Sequence, residues 1–350
     1  MYNKLINPRN IKKILDEYIV GQNKTKRILS VTIYNHYKKI YYNNILNNKN
    51  IDIEKTNILM IGDTGTGKTL FAKTISKILE LPFVTVDATV FTESGYVGED
   101  VESILTRLLQ VANYDIKLAE IGIIYIDEFD KLSRKSKNPS ITRDVSGEGV
   151  QQALLKLFED NYIYISPNVG RKHPEENMIQ INTKNILFIV GGTFEGIEQI
   201  IKNRLKKNQI GFNKIINIKN KNNILKKLII KDLQKFGIIP EIIGRLPVIT
   251  CLDKLTINDY KNILIKPKNS LLKQYKELLK LDNIYIIIKR SFIKIIVKET
   301  VKLNIGARGL KNICESFFIN ISYYYIKENK KKKYIVVNKR KYYKIIKKNK

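Results

Sequence analysis

Eight consecutive residues, Gly62-Asp63-Thr64-Gly65-Thr66-Gly67-Lys68-Thr69, have types and spacing suited to holding a polyphosphate. The glycines let successive backbone N–H groups turn inward around phosphate oxygens, and a helix beginning at the end of the loop adds the positive end of its dipole. In such a loop Lys68 reaches the β and γ phosphates and the Thr69 hydroxyl ligates Mg2+. The same spacing can also be no more than a glycine-rich turn, so its meaning depends on its surroundings. A strand-length apolar run, Asn57 to Ile61, precedes it, and apolar residues at three and four spacing follow from Leu70 to Leu81.

A second group stands about 60 residues further on. Ile123-Ile124-Tyr125-Ile126-Asp127-Glu128 reads as a buried strand ending in two carboxylates. Asp127 is placed to hold a metal through its water shell, and Glu128 is free to orient and deprotonate an attacking water. A strand merely capped by acids is common. Paired with a phosphate loop, however, the two acids point to an ATPase of the P-loop class, with ATP and Mg2+ as its cofactors.

These groups need a scaffold that brings strand ends together. Phe83 to Val86, Ile121 to Ile126 and Asn185 to Val190 are further continuous apolar runs, as expected for strands buried on both faces. Val101 to Ala112 and Gly149 to Phe158 have helical spacing. Strand and helix in alternation give an α/β fold, a layered αβα domain around a mostly parallel sheet. The periodicity changes near Thr250 to Leu255. Beyond it come the helical segments Ile257 to Ile265, Asn269 to Leu281 and Leu310 to Ile326, with one strand-like run at Ile284 to Ile288. The division expected is a large domain over 1–251, a smaller, mainly helical C-terminal domain over 252–326, and a basic extension over 327–350. That extension holds 12 Lys and Arg against one acid and reads as a solvated or frayed tail.

Composition narrows the remaining classes. At 350 residues the chain exceeds what one core usually serves. No apolar run approaches the roughly 18 to 20 residues that cross a bilayer, and Met1 to Asn10 lacks a signal-peptide stretch, so a soluble, cytoplasmic protein with no membrane partner is expected. Cys251, Cys314, His36 and His173 have no metal-ligand spacing, which argues against a zinc site or a disulfide scaffold. The net charge of +30 suggests a polyanion partner, yet residues 51–200 hold 15 Lys and Arg against 22 Asp and Glu. The excess lies outside the chemistry and is mostly Lys interleaved with Ile, Asn and Tyr. A composition bias accounts for that mixture better than a dedicated phosphate-binding surface, so no specific nucleic-acid partner is expected.

Gly95-Tyr96-Val97-Gly98 places a ring between glycines in a segment too polar for a core, which alone reads as a turn with a tyrosine lid. Arg171-Lys172-His173, between strand-like Tyr162 to Ile165 and Met178 to Ile181, alone reads as a solvated hairpin tip. Thr193, after the strand ending at Val190, is weighed as a polar sensor and is not assigned that role.

From about Ile11 to Ile326 the chain resembles the ClpX family of AAA+ unfoldases, the ATPase partners of the ClpP peptidase. The resemblance rests on Asp16 to Gln22, the phosphate loop, Gly95 to Val101, Ile126 to Glu128, Asn138 to Gln152, Arg171 to His173, Ile210 to Phe212, Ile243 to Pro247 and Gly306 to Leu310. It implies an AAA+ large domain with a small helical domain, assembled as a homohexamer whose substrates are unfolded or tagged proteins. Tyr96, with Val97, then grips polypeptide in a central pore, Arg134 to Ser146 forms a second pore loop, and Arg171, Lys172 and His173 form a basic entrance. Arg245 corresponds to an arginine finger and Arg308 to a sensor-2 arginine. Ile19 and Val20 line an adenine pocket, and Ile210, Gly211 and Phe212 dock on ClpP.

The related unfoldase HslU carries an insertion for which Gly98 to Asp127 leaves no room. A chaperone acting without a peptidase, or a nucleic-acid motor, are the competing classes. Family members generally begin with a zinc module built on four cysteines. This chain starts where that module would have ended, so zinc and adaptor recognition are not expected.

Overall fold

A computed structural model describes residues 7–45, 55–92, 99–133, 147–159, 161–166, 178–207, 224–303, 305–326 and 332–347. The chain divides into two units. One comprises residues 1–12, 23–63 and 68–253; the other comprises 13–22, 64–67 and 254–350.

The first unit is organised by five parallel strands: β1 (Ile58–Ile61), β2 (Phe83–Asp87), β3 (Ile123–Asp127), β6 (Leu187–Gly192) and β7 (Val248–Cys251), in the order β2-β3-β6-β1-β7. Every residue of β1 and β6 is buried, as is Ile123 to Ile126 of β3, because a parallel sheet is covered on both faces. The apolar residues are therefore uninterrupted instead of alternating. Helix Lys68–Leu79 buries Phe71, Ala72 and Ile75, one stripe at helical spacing. β7 was not foreseen as a strand; Thr250 and Cys251 interrupt its apolar run, yet it pairs with β1 from Ile58↔Val248 to Ile61↔Cys251. Parallel strands all present their carboxyl ends on one edge. With β3, β6 and β1 adjacent, the residues after Ile61, at Asp127 and after Gly192 meet there, where open α/β sheets bind ligands.

β4 (Tyr162–Ile165) and β5 (Ile179–Asn182) form a separate antiparallel pair, with Ile165 opposite Ile179. Ile165 is buried and Tyr162 and Tyr164 are exposed, so one face of the ribbon is covered.

In the second unit, helices Ile257–Ile265, Leu271–Leu281, Arg290–Leu303 and Arg308–Tyr325 enclose a core that includes Leu264, Phe292, Ile296, Phe317 and Phe318. Its first helix after residue 253 is capped reciprocally: the Thr256 hydroxyl accepts from Asp259 N–H (3.2 Å) and the Asp259 carboxylate accepts from Thr256 N–H (2.8 Å). The basic extension differs from the solvated tail expected of it. Lys333–Val337 forms β9, parallel to β8 (Ile284–Ile288), and Lys339–Lys347 forms a helix. Ile335, Val337, Tyr342 and Ile345 are buried in the second core, with the Tyr342 ring 5.6 Å from that of Phe317. Ile335 and Val337 alternate along the strand and Tyr342 and Ile345 stand three apart in the helix, so each element turns apolar residues to the core, a pattern that the surrounding lysines obscure.

Candidate active site

The phosphate loop begins where β1 ends. Gly62 N–H donates to Gly192 O of β6 (3.1 Å), fixing the loop's first residue to the neighbouring strand. Gly65 (φ +77°) and Gly67 (φ +106°) take left-handed backbone that side chains disfavour, which is the reason glycine stands at these turns. Lys68 opens the following helix. Its buried ammonium donates to Gly62 O (2.6 Å) and Asp63 O (3.4 Å), so it is held against the start of the loop.

Thr69 Oγ1 donates to Asp127 Oδ2 (3.0 Å), which joins the first turn of helix Lys68–Leu79 to the tip of β3 across 58 residues. Asp127 Oδ1 accepts from the Tyr125 hydroxyl (3.2 Å) and from Glu128 N–H (3.0 Å). Glu128 is exposed and takes left-handed backbone (φ +54°), a conformation that costs a non-glycine residue on the order of 1–2 kcal/mol. The turn Phe129–Leu132 behind it holds that conformation: Lys131 N–H donates to Glu128 O (2.9 Å). Buried Asp130 accepts from both Thr193 N–H (3.0 Å) and Thr193 Oγ1 (2.9 Å). Thr193 thus pins the turn after β3 to the end of β6.

The donors brought together here are one carboxylate and one hydroxyl, both hard oxygens. They suit Mg2+, which protein sites hold through one or two carboxylates together with substrate phosphates. Among the described residues no group of three or more His, Cys, Asp or Glu side chains could hold a metal ion.

The other expected site residues are placed as follows. Arg245 caps the short helix Pro240–Gly244, and its guanidinium donates to Glu159 Oε1 (3.1 Å) with both side chains partly exposed. Arg308 is exposed and opens helix Arg308–Tyr325, after Gly306 and Ala307; within the second unit Ala307 N–H donates to Gly65 O (3.2 Å). Ile19 is buried and Val20 half-buried, directly after helix Pro8–Tyr18. Tyr96, Val97, Arg171, Lys172, His173, Ile210, Gly211 and Phe212 lie outside the described residues, as does Arg134 to Ser146.

Sequence reasoning missed Tyr125, Asp130 and Glu159. A signal existed for Tyr125, because side chains two apart on a strand share a face and place it beside Asp127. Asp130 and Glu159 act through partners distant in sequence and left no local mark.

Residues 53–249 match the model of the AAA domain (Cdc48 subfamily). The ATP-dependent Clp protease ATP-binding subunit ClpX of Bacteroides thetaiotaomicron is 52% identical over 330 residues, covering 94% of this chain and 79% of the relative. Its namesake from Bacteroides fragilis is 51% identical over 331 residues, with the same coverage. That of Porphyromonas gingivalis is 49% identical over 318 residues, covering 90% and 77%. The chain belongs to the ClpX family and is an AAA+ ATPase.

Proposed function

We propose that the protein is the ATP-driven unfoldase of a ClpP protease, a homohexamer that pulls tagged proteins through a central pore and delivers them to the peptidase. The observation that supports the ATPase half of this reading is the hydrogen bond from Thr69 to Asp127 with Glu128 adjoining it; the peptidase half rests on the likeness to ClpX. With Thr69 and Asp127 joined at one strand edge, the hydrogen bond supports reading these residues as a phosphate loop, a metal-holding pair and a carboxylate base.

Binding and orientation fall to the loop. Its backbone N–H groups would donate to phosphate oxygens, Lys68 would exchange its carbonyl partners for the β and γ phosphates, and Thr69 with Asp127 would hold Mg2+. When bound, the ion supplies neutralisation of phosphate charge. Glu128 orients a water and takes its proton, and its exposure leaves the carboxylate free to do so. Arg245 stabilises the charge developing on a neighbouring subunit's nucleotide. To reach it the guanidinium leaves Glu159, and a partly exposed pair of this kind is worth only about 0–1 kcal/mol, so the release is cheap. Arg308 serves as the sensor of nucleotide, and Ile19 and Val20 as the adenine contacts.

Tyr96 and Val97 grip the polypeptide, with glycine on either side to permit the stroke. Arg171, Lys172 and His173 draw a peptide's carboxyl terminus to the pore mouth. Ile210, Gly211 and Phe212 dock on ClpP; two large apolar residues among lysines and asparagines have no other evident use. A chaperone without a peptidase would not need that loop.

The variant Tyr96→Ala separates the two halves of the reading. With a stably folded, tagged fluorescent substrate, hydrolysis is expected to persist while unfolding is lost. Unfolding at the unmodified rate would contradict the grip.

A further inference from the structure

We infer that Tyr125 is a positioning residue for the metal: its hydroxyl orients the Asp127 carboxylate so that one oxygen, Oδ2, is left to serve the Mg2+ that accompanies the nucleotide. The inference rests on the proposed nucleotide chemistry and adds a residue to it.

A carboxylate turns easily about its last torsion, which is broad and two-fold, so its orientation is set by the hydrogen bonds it receives. An ionised carboxylate offers about four lone-pair positions. On Asp127, Oδ1 takes two donors, the Tyr125 hydroxyl at 3.2 Å and Glu128 N–H at 3.0 Å. Oδ2 takes one, Thr69 Oγ1 at 3.0 Å. Among the described residues Oδ1 is therefore filled, and the position left over is on Oδ2. That oxygen is the one beside the hydroxyl that would ligate the ion. Without the Tyr125 hydroxyl, Oδ1 keeps a single backbone donor and becomes an equal competitor for the metal's water shell.

The neighbouring strand is shaped around this ring. Tyr125 is fully buried, and a Cβ built on Gly191 of β6 would come 2.2 Å from its hydroxyl oxygen. Any other residue at 191 would drive the hydroxyl from its place. The tyrosine crosses over β6 at the position where β6 carries no side chain, and only by doing so does its hydroxyl reach the tip of its own strand. A purely apolar filler such as phenylalanine would serve the core equally well without that reach.

The test uses the full chain and a fluorescent ADP analogue, titrated once in EDTA and once in Mg2+. Lys68→Ala serves as the control for the nucleotide site itself. Tyr125→Phe keeps the ring and is expected to bind the analogue in EDTA as the unmodified protein does, while the tightening produced by Mg2+ falls about ten-fold, the scale seen when a partner of a metal ligand is removed. Gly191→Ala keeps the hydroxyl but displaces it, and the same signature is expected from it.

An unchanged Mg2+ response in Tyr125→Phe would overturn the inference. So would an equal loss of affinity in EDTA and in Mg2+, since a role in packing alone gives that pattern. If Lys68→Ala binds the analogue normally, the fault lies instead in the nucleotide reading itself.

Discussion

Glu128 is the residue on which hydrolysis depends in this account, and its left-handed backbone is strain that the surrounding structure sustains: the turn behind it is locked by Asp130 against Thr193. Replacing Glu128 by Gln removes the proton acceptor but leaves the loop, Lys68, Thr69 and Asp127 intact. ATP binding is expected to persist, with turnover down about 100- to 10,000-fold, the range over which general-base catalysis contributes. Turnover near that of the unmodified protein would show that another group handles the water. Most of this site was legible because its spacing is local: eight consecutive residues, and two acids at the end of an apolar strand. Tyr125 and Asp130 were not singled out, since each matters through what the fold sets beside it, Gly191 on β6 and Thr193 just after it, more than sixty residues away.

At the level of elements, helix Asn23–Ile45 ties down the edge of the sheet opposite the site. The Tyr37 hydroxyl donates to Ile121 O (3.3 Å), just before β3, and His36 Nε2 donates to Asn185 O (3.0 Å), just before β6. Burial, with Lys55 and Lys39 nearby, pulls His36 down to about 4 from an ordinary 6.5, and its Nδ1 meets no partner among the described residues. His36 is therefore neutral in the fold, while the unfolded chain takes up a proton below pH 6.5. Its contribution to stability is complete above pH 6.5 and is lost as the pH falls from there towards 4. Denaturant unfolding of the unmodified protein is expected to weaken between pH 6.5 and 5 more steeply than that of His36→Leu, by up to about 1.4 kcal/mol per pH unit. Equal slopes would place His36 in solvent.

Elements with uninterrupted apolar runs were readable from their letters alone. β7 and the final strand and helix were not: a threonine and a cysteine break the first, the final strand is short and set among lysines, and in the helix lysines outnumber the residues that pack.

For the whole molecule, the net charge of +30 is unevenly distributed. Residues 51–200, which supply the phosphate loop and both acids, are net acidic, and part of the lysine-rich C-terminal segment is structural, its apolar face closing the second core. Among the described residues no helix is long and apolar enough to cross a membrane. Among the described residues there are two separate hydrophobic cores, one around the parallel sheet and one among helices. On the proposed function, the protein is a motor that works for a peptidase. The most direct measurement mixes the protein with ATP, a folded tagged substrate and ClpP from the same organism, and follows loss of the substrate. Degradation is expected to require ATP and to fall sharply in Phe212→Ala, whose ATPase activity remains. Substrate loss without ATP, or loss unaffected by Phe212→Ala, would contradict the account.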